Sequence, residues 1–252
     1  MKKSLFLTAI LVVAATVVFP QDRAWLQWSK ADAEKILNHS GWGQTQSETD
    51  TSEMTYSPTS PGRSSIGTTT TGRRTSDQQS INNNRADRGA TNQPISVNYR
   101  VRLLSARPVR QAFMRLISLE QKGADSELTD DLNSFVQRDF SEFIVVAVTF
   151  DSSDSRFSGP ALQAFATARV GTLKNITYLE RKDGKRIFPI GYYPPISDGL
   201  GAKFVFSRRL DERPFLNSDS GTVRFYCELT SQIKLNVTFK LSEMMYGGKL
   251  EY

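Results

Sequence analysis

A sharp change in composition most constrains how this chain can fold. From 45 to 94 the sequence is dominated by Ser, Thr, Gly, Asn, Gln and Arg, with a Thr68–Thr71 run and an Asn82–Asn84 run. Such a segment has too few apolar side chains to offset the conformational entropy lost on folding, so it predicts a disordered linker. We expect the hydrophobic core to form mainly within residues 95–252, because this segment is long enough to bury one.

The N-terminus has the features of a secretory signal. Two lysines precede an apolar run from Leu5 to Phe19, which is shorter than the ~18–20 residues that normally span a bilayer. We therefore expect a cleaved signal peptide at 1–21 and a bacterial protein that is periplasmic or secreted. The alternative is an uncleaved membrane anchor, because the residues around Pro20 do not form a clean cleavage site. The only expected contact with a membrane is through this segment.

Net charge and two rare residue types narrow the classes of function. The formal charge is +6, and two of these charges are the lysines of the predicted signal, so the mature chain is only modestly basic. We expect no nucleic-acid partner, because a binding face usually concentrates positive charge. Cys227 is the only cysteine and His39 the only histidine. These counts argue against an intrachain disulfide, a His-based metal site and a Ser–His pair, so we expect neither a metal nor a cofactor.

Residues 22–44 form a short segment that holds all three tryptophans, Trp25, Trp28 and Trp42. A capping-box pattern that begins at Ser29 predicts a helix of about ten residues. Solvated segments rarely retain three tryptophans, because exposing such large apolar side chains is unfavourable. We expect this segment to dock on the main domain or, alternatively, to present its tryptophans to a binding partner.

The pattern of residues 95–252 predicts an α+β domain. Predicted strands lie at 97–104, 143–150, 176–181, 185–190, 203–208, 222–229 and 232–241, and predicted helices begin near Pro108, Asp130 and Pro160. Asp183-Gly184 between two strand patterns predicts a hairpin. The order of elements predicts a mixed, mostly antiparallel sheet with about three helices packed mainly on one face and a β-rich C-terminal half. A sheet that extends into a small β-sandwich is the alternative.

Two loops are candidates for a ligand site. We expect the first two strands of the domain to be parallel neighbours, since two helices separate them. The loops that follow these strands would then meet at one edge of the sheet, each before a helix N-terminus. Arg107 and Arg110 would hold an anion there, or Asp151 and Asp154 would bind a cation or act in catalysis. An internal ion pair between Arg107 or Arg110 and Asp151 is the alternative.

A second candidate contact is the sequence Tyr192-Tyr193-Pro194-Pro195. Paired tyrosines followed by two prolines favour a rigid, extended aromatic patch that could contact a protein or a glycan. The alternative is a packed crossover loop.

The stretches Trp25–Thr45 and Asn98–Pro108 resemble a family of exported bacterial proteins of uncharacterised function. The first stretch includes Ser40-Gly-Trp42-Gly, and the second is the predicted junction between a strand and a helix. The resemblance supports the compartment and implies no activity.

The sequence therefore favours a non-catalytic envelope protein that binds a protein or glycan partner. The export signal, the lack of catalytic residue types and the Trp-bearing segment are the observations behind this interpretation. The alternative is a carboxylate-dependent hydrolase or transferase with a site at the 105–110 and 151–156 loops.

Overall fold

The computed structural model describes residues 24–50, 95–121, 126–152 and 155–252, which form an α+β structure as predicted. Its five α-helices are α1 Lys30–Asn38, α2 Arg107–Glu120, α3 Ser126–Gln137, α4 Ser155–Thr167 and α5 Val170–Leu173, and a short 3-10 helix at Trp25–Gln27 precedes α1. Its strands are β1 Gly43–Asp50, β2 Ile95–Leu103, β3 Phe143–Ser152, β4 Thr177–Arg181, β5 Arg186–Ile187, β6 Pro189–Tyr193, β7 Ala202–Ser207, β8 Arg209–Leu210, β9 Arg213–Pro214, β10 Thr222–Glu228, β11 Lys234–Lys240, β12 Met245–Tyr246 and β13 Lys249–Leu250. The predicted signal at 1–21 lies outside the described residues.

A five-stranded antiparallel sheet with the order β1-β2-β3-β7-β6 forms the centre of the fold. The apolar run from Ile144 to Val148 in β3 is buried throughout, since other layers cover both faces of this strand. Val148 lies opposite Val101 of β2 and Ala202 of β7, which fixes the register at the middle of the sheet.

A second antiparallel sheet, ordered β11-β10-β4-β5, packs on one face of the first. The rings of Phe204 and Phe206 in β7 lie 5.4 and 6.4 Å from the ring of Phe225 in β10. The β-sandwich that the sequence left as an alternative is therefore present. All strand pairs among the described residues are antiparallel, so the prediction of a mixed sheet is wrong while the mostly antiparallel character is confirmed.

Helices α1 to α3 lie on the opposite side of the five-stranded sheet. Arg102 of β2 points into this helical layer, and its guanidinium carbon is 5.1 Å from the ring centroid of Phe113 in α2. Helix α4 lies on the sandwich side, where Phe165 stacks on Phe150 of β3 at 5.4 Å. The described residues thus form five α-helices rather than three, and three of them share one side of the sheet.

The two strands expected to be parallel are antiparallel. Leu103 at the end of β2 lies opposite Val146 near the start of β3. Helices α2 and α3 pack on each other between these strands and return the chain to the end of the sheet that it left. Arg107 at the start of α2 and Asp151 near the end of β3 therefore lie at opposite ends of the sheet.

The Trp-bearing segment is part of the same structure as the main domain. Ser29 caps α1 as predicted, because the Asp32 amide donates to Ser29 Oγ and the Ser29 amide donates to the Asp32 carboxylate, both at 3.1 Å. The chain then turns back along α1 into β1. A β-carbon at Gly43 would lie 2.2 Å from the Leu37 carbonyl oxygen, so this close approach requires glycine. The predicted division after residue 44 is therefore wrong.

Strand β1 occupies the first residues of the predicted linker. It pairs with β2 along its whole length. Gln46 also bridges the two sheets, since its Nε2 donates to the Lys234 carbonyl oxygen at 2.7 Å and its Oε1 accepts from the Asn236 amide at 2.8 Å. The linker prediction is thus wrong for residues 45–50, and its remainder, 51–94, lies outside the described residues.

Candidate binding surface

The charged residues predicted to form one site do not come together. Arg107 begins α2, where its amide donates to the Glu251 carboxylate at 2.9 Å. Asp151 lies at the far end of the sheet and forms an ion pair of 2.5 Å with Arg100. The prediction of a shared site is wrong, and so is the alternative in which Arg107 or Arg110 pairs with Asp151. Asp154 lies outside the described residues.

Arg110 has a structural role. Its guanidinium donates to the carbonyl oxygens of Val136 at 3.2 Å and Leu104 at 3.3 Å, and it lies 4.7 Å from the ring centroid of Phe140. Burial lowers the pKa of Arg110 to about 10. Because these donors are committed to main-chain carbonyls, Arg110 holds the start of α2 to the end of α3 instead of forming the predicted anion site.

Two of the predicted partner-contact tryptophans are core residues. Trp28 and Trp42 are each 1% exposed, so the prediction that they contact a partner is wrong. Trp42 Nε1 donates to the Glu251 main-chain oxygen at 2.7 Å. Trp25 is half-buried against the apolar cluster between α2 and α3. The segment therefore docks on the domain, as the first of the two alternatives predicted.

The paired tyrosines of β6 point in different directions. Tyr192 is half-buried, donates its hydroxyl hydrogen to the Phe165 carbonyl oxygen and packs edge-on against Phe204 at 5.0 Å. Burial raises the pKa of Tyr192. Tyr193 is 61% exposed and lies opposite Lys203. Only Tyr193 of this pair is available for an external contact.

A surface that the sequence did not predict lies on the outer face of the second sheet. Tyr178 of β4 stacks on Tyr226 of β10, with ring centroids 5.1 Å apart and planes at 21°. From β5, on the other side of β4, Arg186 places its guanidinium carbon 4.3 Å from the centroid of Tyr178. Phe188 meets the same ring edge-on at 6.4 Å. We call Tyr178, Arg186, Phe188, Arg224 and Tyr226 the tyrosine surface.

Strand alternation and register create this surface. Every second residue of β10 is buried, as is Leu179 of β4, so Tyr178 and Tyr226 face outward. The two tyrosines lie opposite each other in the register. The alternation of polar with apolar residues is visible in both strands of the sequence, but their pairing is not, which explains why the surface was missed.

Glu180 orients the two arginines of the tyrosine surface. Its carboxylate accepts from Arg186 Nε at 2.7 Å and from Arg224 Nε at 2.9 Å. These hydrogen bonds, chiefly the one from Arg186, lower the pKa of Glu180, and the same bond raises the pKa of Arg186. One carboxylate serves two guanidinium groups, which leaves the cluster with a net positive charge.

An open groove of about 680 Å³ borders the tyrosine surface. It is lined by Lys174, Asn175, Tyr178, Arg186, Phe188, Pro189 and Ile190. Phe188 and Ile190 are 45% and 53% exposed, although both are large apolar residues. Neighbouring apolar side chains that are exposed and bordered by polar groups are typical of interaction sites.

The described residues form neither a metal-binding cluster nor a reactive thiol. They hold no cluster of three or more His, Cys, Asp or Glu side chains that could bind a metal. Cys227 is buried, accepts a hydrogen bond from Thr177 Oγ1 at 3.2 Å, and burial raises the pKa of its thiol to about 12. A thiol in this state is a poor nucleophile. None of the helices in the described ranges is long and apolar enough to cross a bilayer.

No protein-family model matches the chain, and no curated protein matches its sequence. Among solved structures, the chain is similar to a protein from Burkholderia pseudomallei K96243 that is described as a novel protein of unknown function. The two are 8% identical, the match covers 56% of this chain and 72% of the other, and the TM-score is 0.37. A similarity at this level says nothing about activity.

Proposed function

We propose that this protein is an exported, non-catalytic module that binds a partner protein through the tyrosine surface and its groove. The observation that carries the proposal is the exposure of Phe188 and Ile190 beside Arg186 and Tyr178. Aromatic and arginine side chains are enriched in protein interfaces and dominate their binding energy. A surface with these residues around a groove suits a protruding segment of another protein.

A protein suits this surface better than a glycan. A sugar ring that stacks on an aromatic side chain needs an open ring face, where the quadrupole is negative. Tyr178 has Tyr226 stacked on it and the Arg186 guanidinium over it, so both neighbours compete for its faces. Phe188 and Ile190 instead offer exposed apolar area that matches apolar side chains of a protein.

The proposed compartment is the bacterial periplasm or the extracellular medium. Its support is the N-terminal sequence, in which two lysines precede the apolar run from Leu5 to Phe19. Membrane attachment would require that this segment stays uncleaved. N-terminal sequencing of fractionated cells is the test: a chain that begins near residue 22 outside the cytoplasm supports export, and an intact chain in the cytoplasm contradicts it.

The hydrolase or transferase alternative lacks the shared cleft that it requires. It required the 105–110 and 151–156 loops to share a cleft, but the antiparallel pairing of β2 and β3 separates Arg107 from Asp151. Asp151 is paired with Arg100 instead. A binding role needs no such convergence and is therefore the better-supported function.

Site-specific photo-cross-linking in intact cells tests the proposal. A benzophenone amino acid in place of Ile190 is expected to cross-link one partner protein. The control places the same group at Leu26, which is 50% exposed and belongs to the short helix beside α2, on the other side of the five-stranded sheet. Capture of the same proteins from both positions, or of none from Ile190, contradicts the proposal.

A binding measurement with the captured protein completes the test. Phe188→Ala is expected to raise the dissociation constant about tenfold. This corresponds to a loss of about 1.4 kcal/mol of binding free energy, which is the scale expected when a large aromatic side chain at an interface is truncated. Leu26→Ala is the matched control and should leave the affinity unchanged. An unchanged affinity for Phe188→Ala would show that the captured protein binds elsewhere.

A further inference from the structure

The groove beside the tyrosine surface carries uncompensated positive charge. Glu180 is shared by Arg186 and Arg224, so one negative charge faces two positive charges. Lys174 lines the same groove, and among the described residues no carboxylate lies within ion-pair distance of it. The groove therefore attracts an anionic group.

Arg186 is held in a position that leaves hydrogen-bond donors unused. Within the described structure its Nε donates to Glu180, whereas its two Nη groups have no protein acceptor. The Tyr178 ring lies under the guanidinium at 4.3 Å and restricts its rotation. A planar guanidinium with two free Nη groups matches the two oxygens of a carboxylate.

The lining of the groove is also partly apolar. Phe188 and Ile190 line it and are exposed, and Pro189 between them fixes the main chain and lacks an amide hydrogen. The pairing of β6 with β7 is also irregular between Pro189 and Gly191. A proline and a bulge disfavour the addition of another strand at a sheet edge, so a ligand would bind through side chains.

From this arrangement we infer that the groove recognises a segment of a partner protein in which a carboxylate side chain is followed by an apolar side chain. The carboxylate binds between Lys174 and Arg186, and the apolar side chain packs on Phe188 and Ile190. The inference rests on the proposed function and adds the chemical class of the recognised segment.

Fluorescence anisotropy with synthetic peptides tests the inference on the full chain. One labelled peptide alternates Asp with Leu, and its matched control alternates Asn with Leu. The Asp peptide is expected to bind at least about fivefold more tightly, and its affinity should fall as salt is raised. Equal affinities, or no binding by either peptide, would overturn the inference.

Charge variants locate the binding site. The double variant Lys174→Gln with Arg186→Gln is expected to weaken binding of the Asp peptide about tenfold and to leave the Asn peptide unaffected. Lys174→Arg, which keeps the charge, should retain binding, and Lys249→Gln removes an exposed charge on β13 as a control. Equal losses in the double variant and in Lys249→Gln would overturn the inference, and circular dichroism verifies that each variant is folded.

A third probe separates this inference from a glycan-binding role and from the proposed function itself. Soluble polygalacturonate carries carboxylates without apolar side chains, and it is expected not to displace the Asp peptide. Displacement at equal carboxylate concentration would overturn the recognition of a protein segment. If the cross-link at Ile190 persists while the two peptides bind equally, only the carboxylate inference fails. If the cross-link is absent, the proposed function fails with it.

Discussion

The indole Nε1 of Trp42 donates a hydrogen bond of 2.7 Å to the main-chain oxygen of Glu251. Trp42 is almost fully buried, so water cannot replace this partner. The bond joins the turn after α1 to the chain that follows β13. The N-terminal segment is therefore an integral part of the core and not an appendage to it.

Trp42→Phe is expected to lower the free energy of unfolding by about 2 kcal/mol, because it leaves the Glu251 oxygen without its donor and creates a small cavity. Urea denaturation followed by circular dichroism measures this change. Trp25→Phe is the control, since Trp25 is only half-buried, and it should cost less than about 1 kcal/mol. Equal effects of the two substitutions would contradict the structural role of Trp42.

Arg102 is expected to matter more for stability than Arg100, although the two residues lie on the same face of β2. Arg102 is buried, and it donates to the Leu37 carbonyl oxygen at 2.9 Å and to Asn38 Oδ1 at 2.8 Å. Burial lowers the pKa of Arg102 to about 10. Arg102→Met leaves these acceptors unpaired and should cost about 2–3 kcal/mol of unfolding free energy.

The matched substitution Arg100→Met removes only the surface pair with Asp151 and should cost less than about 1 kcal/mol. Chemical denaturation of both variants provides the comparison. A larger loss for Arg100→Met would show that α1 is not held to the sheet by Arg102.

Two glycine substitutions should have opposite signs. Gly43→Ala would place a β-carbon 2.2 Å from the Leu37 carbonyl oxygen, so it should lower the melting temperature markedly by pushing β1 away from α1. Gly171→Ala meets no atom within 4 Å and lies in α5, where it should stabilise by about 0.5–1 kcal/mol. Thermal unfolding measures both, and a tolerated Gly43→Ala would refute the close approach.

Glu180 should contribute to the loss of stability in acid. Hydrogen bonds from Arg186 and Arg224 hold the pKa of Glu180 below its ordinary value of 4.5 in the folded state. The contribution is therefore present above that pH and is lost as the pH falls through the lower, folded-state pKa.

The urea midpoint measured from about pH 5 to about pH 3 should consequently fall less in Glu180→Gln than in the wild type. Glu243→Gln, which removes an exposed carboxylate paired with Lys240, is the control and should follow the wild-type profile. Parallel profiles for all three proteins would show that the arginine cluster does not stabilise the fold.

Local signals predicted the parts of the fold that depend on neighbouring residues. The Ser29 cap, the buried strand β3 and the Asp183-Gly184 hairpin are all present, because capping, burial and turn geometry are set within a few residues. The direction of β3 relative to β2 was missed. Helices α2 and α3 return the chain to the end of the sheet at which β2 finishes. Strand β3 can therefore pair antiparallel to β2 without a crossover connection.

Strand β1 gave no hydrophobic signal, because the residues from Gln44 to Asp50 are all polar. The inward-facing Gln46 uses amide hydrogen bonds where other strands use apolar contacts. The tyrosine surface was missed for a different reason. Its residues come from β4, β5, β10 and the position just after β5, and only the register brings Tyr178 beside Tyr226.

The bridge made by Gln46 has a consequence for the behaviour of the protein in concentrated solution. Strand β11 ends the second sheet, and an unpaired edge strand is a template on which other chains can add and grow into fibrils. The Gln46 amide occupies a main-chain acceptor at Lys234 and a donor at Asn236 on that edge. The Gln46 side chain, which comes from the neighbouring sheet, thus hinders the addition of another chain at this part of the β11 edge.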